Sequence, residues 1–371
     1  MTTIYLHIGT PKTGTTAIQD FLRNNDFVLE KNNYCFPVFS VDFLDIGPNR
    51  NGQFLHYIAS DNKPDEYYKC NNELKQYLKT YKNIILSDEG AWFWQKDDIW
   101  WKRVKEWAGN LGIQLKIIVY LRKQEELIDS MWNQKIKGYK KWTASFDEFL
   151  SSEYCNQLPL DYEKALSRIE KYIGIDNMIV RLYDFRSFYK GNICKDFLNA
   201  LGLDITNEYN FEEKTSNISM PPEAVEVKRM INSNCDYQNT KGVNFYMKVI
   251  REAYNEDDSN CVSSKLTMFS DEELTKIREK YGAGNKNVAR RYMKENDEEF
   301  FLEEKVFCKW EPDDKKLLSE SVRILAGSDL YLYKQIQDLK QEIKELNKEV
   351  KNAKKGLIYN VYKKIKKDVF R

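Results

Sequence analysis

An apolar run, Ile4-Tyr-Leu-His-Ile8, leads directly into Gly9-Thr-Pro-Lys12-Thr-Gly14-Thr15-Thr16, and Ala17-Ile-Gln-Asp-Phe-Leu22 continues with helical spacing. A glycine-bearing turn between a buried strand and a helix start offers backbone N–H groups and the positive end of the helix dipole to an anion. The chemistry this suits is phosphate binding. Gly9 and Gly14 have the separation of a Walker A loop, but Thr15 stands where that motif carries lysine. The lysine here is Lys12, inside the turn. Taken alone, Thr-Gly-Thr-Thr serves equally well as an ordinary helix cap.

A second cation strengthens the phosphate reading. The run Lys116-Ile-Ile-Val-Tyr-Leu121 ends in Arg122, and Ser130 follows eight residues later within the helical stretch Lys123 to Trp132. An arginine at the C-terminal end of a parallel strand lies on the rim where open α/β sheets bind ligands, and its planar fork suits phosphate. Alone, Arg122 reads as a rim salt bridge and Ser130 as a solvated helix residue. For proton transfer two groups compete. Glu89 follows the run Asn83 to Ser87, on the same expected rim, and His56 sits in Asn51-Gly-Gln-Phe-Leu-His56 with a suitable ordinary pKa. Four tryptophans, Trp92, Trp94, Trp100 and Trp101, follow Glu89. They offer faces for a sugar, although core packing is expected for at least two.

These groups need a scaffold. Ile4–Ile8, Asn83–Ser87, Leu115–Leu121 and Asn177–Tyr183 read as short strands alternating with helical periodicity. That order predicts an α/β fold with a parallel, doubly wound sheet carrying the P-loop-like turn. An irregular stretch at 40–64 interrupts it. Beyond Pro221 strands are expected to disappear, with helices over 221–234, 242–256, 270–281 and 284–295. Leu332, Ile336, Leu339, Ile343, Leu346, Val350, Ala353 and Leu357 then alternate spacings of four and three, which is a coiled-coil seam. The domain expectation is an α/β core over 1–220, a helical completion over 221–329, a coiled-coil-like helix over 330–357 and a basic amphipathic tail over 358–371.

Both phosphate elements resemble those of the sulfotransferases that use 3′-phosphoadenosine 5′-phosphosulfate (PAPS). Pro11-Lys12-Thr13-Gly14-Thr15-Thr16 is similar to their 5′-phosphosulfate loop, with Thr13 in place of the commoner serine, and Arg122 with Ser130 matches their 3′-phosphate pair. Residues 1–220 follow the family's order of elements, including Ile85-Leu-Ser87-Asp-Glu89 and Arg181-Leu-Tyr183-Asp184. Lys214-Thr-Ser-Asn217-Ile-Ser219 and Asn287-Val-Ala-Arg290-Arg291-Tyr292 are similar to weaker signatures of bacterial carbohydrate-type members. The resemblance implies transfer of a sulfuryl group from PAPS to a hydroxyl or amine of a carbohydrate, such as a bacterial surface polysaccharide or glycolipid, leaving PAP and using no metal. It implies Lys12 at the leaving phosphate, with Thr13, Gly14, Thr15 and Thr16 on the 5′-phosphate. Arg122 and Ser130 would hold the 3′-phosphate, and Lys214 would lie near the adenosine end. Glu89 resembles the catalytic glutamate of related enzymes, with His56 as its rival.

Composition narrows the alternatives. With 58 Lys+Arg against 57 Asp+Glu, 42% hydrophobic and 14% aromatic residues, the chain reads as globular and does not coat nucleic acid along its length. Only His7 and His56 exist, against multi-histidine zinc chemistry. Seven scattered cysteines and the lack of a signal-peptide pattern suggest a cytoplasmic setting. The net +1 is uneven: residues 354–371 carry seven basic groups and one acidic, a net of +6. That tail suits peripheral contact with the anionic inner face of the cell membrane, and the seam before it suits self-association. Two rival functions are a P-loop kinase-like phosphotransferase, which would require lysine after Gly14, and a non-catalytic coiled-coil scaffold at a membrane.

Overall fold

The computed structural model describes residues 2–41, 49–138, 142–211, 220–234, 248–249, 266–293 and 308–369. Lys214 and most of the helix expected at 242–256 lie outside these. Five strands form one all-parallel sheet: β1 (Thr3–His7), β2 (Tyr34–Cys35), β3 (Asn83–Ser87), β4 (Gln114–Leu121) and β5 (Met178–Leu182), in the order β2-β3-β1-β4-β5. The helices of the same region are α1 (Thr15–Asn24), α2 (Asp26–Lys31), α3 (Asp65–Thr80), α4 (Asp98–Leu111), α5 (Gln124–Lys137), α6 (Phe146–Leu150), α7 (Glu153–Asn156), α8 (Tyr162–Ile173) and α9 (Ile193–Ala200).

Alternating residues of the strands feed two separate cores. Ile4, Leu6, Ile84, Leu86, Ile117 and Val119 pack with Trp100, Trp101 and Val104 of α4 and with Leu166 and Ile169 of α8. Tyr5, Ile85, Ile118 and Tyr120 face the other way, onto Ile18, Phe21 and Leu22 of α1 and Phe197 and Leu198 of α9. A strand apolar on both faces has to be covered on both, which is why these segments read as continuous apolar runs. The expected doubly wound sheet is present.

Several expectations need correction. The two-residue strand β2 carried no readable signal. Strands also return after 220, as the short parallel pair β6 (Leu266–Thr267) and β7 (Cys308–Lys309). The helix expected at 221–234 is α10 (Pro222–Asn234), but the two expected at 270–281 and 284–295 are one helix, α11 (Asp271–Val288), closing in a π-turn at Ala289–Met293. α11 runs unbroken through Gly282 and Gly284, where a Cβ would meet nothing within 4 Å and only the Glu163 side chain, respectively. The final helix, α12 (Asp314–Val369), is 56 residues long and starts well before the expected position 330.

Two compact units result. The first comprises Met1–Gln134, Ala144–Asn217 and Ser264–Glu311, and contains the sheet. The second comprises Lys135–Thr143, Ile218–Ser263 and Pro312–Arg371. Within it Asn232 of α10 donates to the carbonyls of Ile136 (2.9 Å) and Trp142 (3.0 Å). No helix among the described residues is long and apolar enough to cross a membrane.

Candidate active site

Parallel strands deliver their C-terminal ends to one rim, and Gly9, Glu89 and Arg122 lie just past the ends of β1, β3 and β4. β1 pairs with β3 through His7 and Ser87 and with β4 through His7 and Ile118. The ladder runs on past the end of β1, because Thr10 N–H donates to the Tyr120 carbonyl (2.9 Å) and Tyr120 N–H to the Gly9 carbonyl (2.6 Å). The loop then turns through left-handed conformations at Lys12 (φ 65°) and Gly14 (φ 70°) into α1. Gly14 caps α1 with no side chain, and the N–H groups of Gly14, Thr15 and Thr16 donate to no group among the described residues. An uncapped helix start with unpaired amides fits a phosphate by its donor chemistry. Gly14 suits this position by its φ, and a Cβ there would press on Tyr183, 3.2 Å from its Cε2.

The buried Thr13 hydroxyl donates to the Thr10 carbonyl inside the loop. Thr15 is buried and Thr16 exposed. Arg122 meets the loop directly: its Nη1 donates to the Lys12 carbonyl (2.9 Å), its guanidinium lies 5.4 Å from the Tyr183 ring centre, and its Nε pairs with Glu126 (3.3 Å). The buried Tyr162 hydroxyl donates to the Arg122 carbonyl and so fixes its backbone. Ser130 lies half-buried in the second turn of α5 and makes no hydrogen bond to Arg122. Although Lys12 retains surface exposure, loss of solvent around its ammonium, and then the Arg122 charge, lower its pKa from the ordinary lysine value. Glu89 opposes that shift.

Glu89 stands against the loop, its Cβ 3.1 Å from where a Cβ on Gly9 would be. Gln19 of α1 donates to Glu89 Oε2 (3.2 Å), and Arg50 Nε lies 3.5 Å from Glu89 Oε1. Arg50 also binds Asp88 through Nε at 2.7 Å, and His56 Nε2 lies against the second Asp88 oxygen. Burial works to raise the Asp88 pKa, but the hydrogen bond and charge of His56, then Arg50, hold it below the usual carboxylate range. Gly90 permits this crowding, since a Cβ there would come within 2.6 Å of Arg50 Nη2 and 2.7 Å of His56 Cε1. The two candidate bases thus have different neighbours: Glu89 adjoins Lys12 and the loop, and His56 is held one residue away by Asp88. Arg50, Asp88 and Gln19 were missed by sequence reasoning. Arg50 could have been flagged by its place in the same irregular stretch as His56.

Of the tryptophans, Trp92, Trp100 and Trp101 are fully buried, and Trp94 alone stays partly exposed, edge-on to His56 at 5.9 Å. Asn287, Arg291 and Tyr292 bind Glu163 and Glu170 of α8, which makes that signature a tie between helices.

Beneath the loop, fully buried His7 bonds through Nδ1 to Ser87 Oγ (2.9 Å), which also accepts from Gln19 (3.1 Å). Burial drives the His7 pKa down to about 3, with Asp88 partly opposing. The native state therefore keeps His7 neutral while the unfolded chain protonates it below about 6.5. Its contribution is fully present above that pH and falls between about 6.5 and 3, at about 1.4 kcal/mol per pH unit. In urea titrations across this range, His7→Gln is expected to show a shallower pH dependence by about one proton, and an unchanged slope would refute it.

No family model matches the chain. An uncharacterized protein of Archaeoglobus fulgidus is 28% identical over 196 residues, 52% of this chain and 49% of that protein. The chain therefore spans about half the length of the curated relative it matches. Among solved structures, a sulfotransferase from Alicyclobacillus acidocaldarius aligns with 65% of this chain and 98% of its own at 16% identity, with a TM-score of 0.37. Overlap of that degree leaves both fold and function to be argued from this chain's own residues.

Proposed function

We propose that the chain is a PAPS-dependent sulfotransferase acting on a hydroxyl or amine of a carbohydrate acceptor. The observation that carries this reading is the bond from Arg122 to the Lys12 carbonyl, which joins into one cationic rim two motifs 110 residues apart. Unpaired amides at Gly14, Thr15 and Thr16 would hold the 5′-phosphate, and Arg122 the 3′-phosphate that distinguishes PAPS from ATP. The donor supplies an activated sulfuryl group. Glu89 would accept the acceptor's proton as the new S–O or S–N bond forms, and Lys12 would neutralise the phosphate oxygen left when the old S–O bond breaks. His56, fixed by Asp88, would help orient the acceptor.

The test is thermal stabilisation by PAP against ADP and ATP. At about 100-fold excess over Kd, PAP should stabilise by about 2.7 kcal/mol. Arg122→Ala should weaken PAP binding by about 10–100-fold, the loss expected for charge-assisted hydrogen bonds, and remove the preference over ADP. Equal or greater stabilisation by ADP or ATP would instead favour phosphoryl transfer.

A further inference from the structure

The first turns of α12 divide their apolar residues between two faces. Leu317 and Ile324 are buried within the second unit, whereas Leu318, Val322 and Leu325 are exposed. The exposed set continues through Leu332, Ile336, Leu339, Ile343, Leu346 and Val350, each of the nine 45–67% exposed, to exposed Ala353. From Leu318 to Ala353 these positions keep the three-four alternation, broken in type only at Asp329. The seam is therefore two heptads longer than the run beginning at Leu332 suggested, and spans roughly 50 Å at 1.5 Å per residue.

We propose that this face pairs with the same face of a second copy of the chain in a parallel, two-stranded coiled coil over residues 318–353. The residue types select two strands: Val322, Ile336, Ile343 and Val350 occupy a positions, and Leu318, Leu325, Leu332, Leu339 and Leu346 occupy d positions. Flanking charges select the direction. The e positions are Ala326, Tyr333, Lys340, Asn347 and Lys354, whereas the g positions are Ser321, Ser328, Gln335, Glu342 and Glu349. One row is basic or neutral and the other acidic or neutral. Parallel pairing sets g against e of the partner helix, bringing Glu349 to Lys354 and juxtaposing no like charges. Antiparallel pairing sets e against e and g against g, which opposes lysine to lysine and glutamate to glutamate. Asp329 at an a position would face its twin in register, at a cost in stability, as single polar a residues do while fixing register.

Sedimentation equilibrium of the full chain from 1 to 100 μM should give a dimer, and Leu339→Lys combined with Ile343→Lys, both exposed positions, should give a monomer with unchanged helix content. Glu349→Lys should weaken dimerisation about tenfold, from two lost attractions turned repulsive, and Glu349→Lys with Lys354→Glu should restore it. Direction is read by oxidation: Ile336→Cys and Val350→Cys, introduced separately, should both yield the cross-linked dimer above the level of the unaltered chain. A monomer or trimer across the concentration range, dimerisation indifferent to the lysine pair, or cross-linking at only one of the two positions would overturn the proposal.

Discussion

Glu89→Gln is expected to lower kcat by about 10²–10⁴-fold, the usual contribution of a positioned acid or base, with PAP affinity nearly unchanged. The amide keeps the size of Glu89 and can still accept from Gln19, which donates to Oε2 at 3.2 Å, so the rim should hold its shape. What the amide cannot do is take a proton. Turnover at saturating PAPS, beside PAP binding by thermal shift, separates the two roles. Full kcat in Glu89→Gln, with collapse in His56→Ala, would move the proton-accepting role to the His56–Asp88 pair.

Lys12→Met should lower kcat by about 10²–10³-fold, the loss found when one preorganised donor to a developing anion is removed. Methionine keeps the apolar stem and drops only the charge. The left-handed backbone at Lys12 (φ 65°) is equally strained for either residue, so folding should be little affected. Because the role assigned to Lys12 is to meet charge that develops as the sulfuryl group departs, the loss should fall on kcat more than on PAP affinity. Equal kcat in Lys12→Met and the unaltered chain would remove Lys12 from the leaving-group role.

The sheet and its loop were readable because burial on both faces leaves unbroken apolar runs, and β3 is observed over the expected Asn83–Ser87. β2 was not, since two residues have no period. The coiled-coil seam was recognised from Leu332 but not from Leu318, because Asp329 interrupts it and Leu317 and Ile324 add a second, buried face to the same turns. Lys12, Arg122, Glu89 and His56 were found as residue types at strand ends or in a loop. Their supports were not: Arg50 reaches Asp88 and Glu89, and Gln19 reaches Ser87 and Glu89, only through the fold. A single sequence marks which groups could react better than it marks the groups that hold them.

The ladder that continues beyond β1 has a thermodynamic consequence. Gly9 and Thr10 are bonded to Tyr120, and Tyr183 N–H is bonded to the Leu121 carbonyl at 2.7 Å, so the base of the loop is tied to the rim of the sheet. The Thr10, Tyr120 and Tyr183 amides are therefore expected to exchange slowly, opening only when the sheet's rim unzips. If the loop holds the proposed donor, the segments at its base would already be ordered, and part of the entropy that a wholly flexible loop would lose on binding would have been lost in folding.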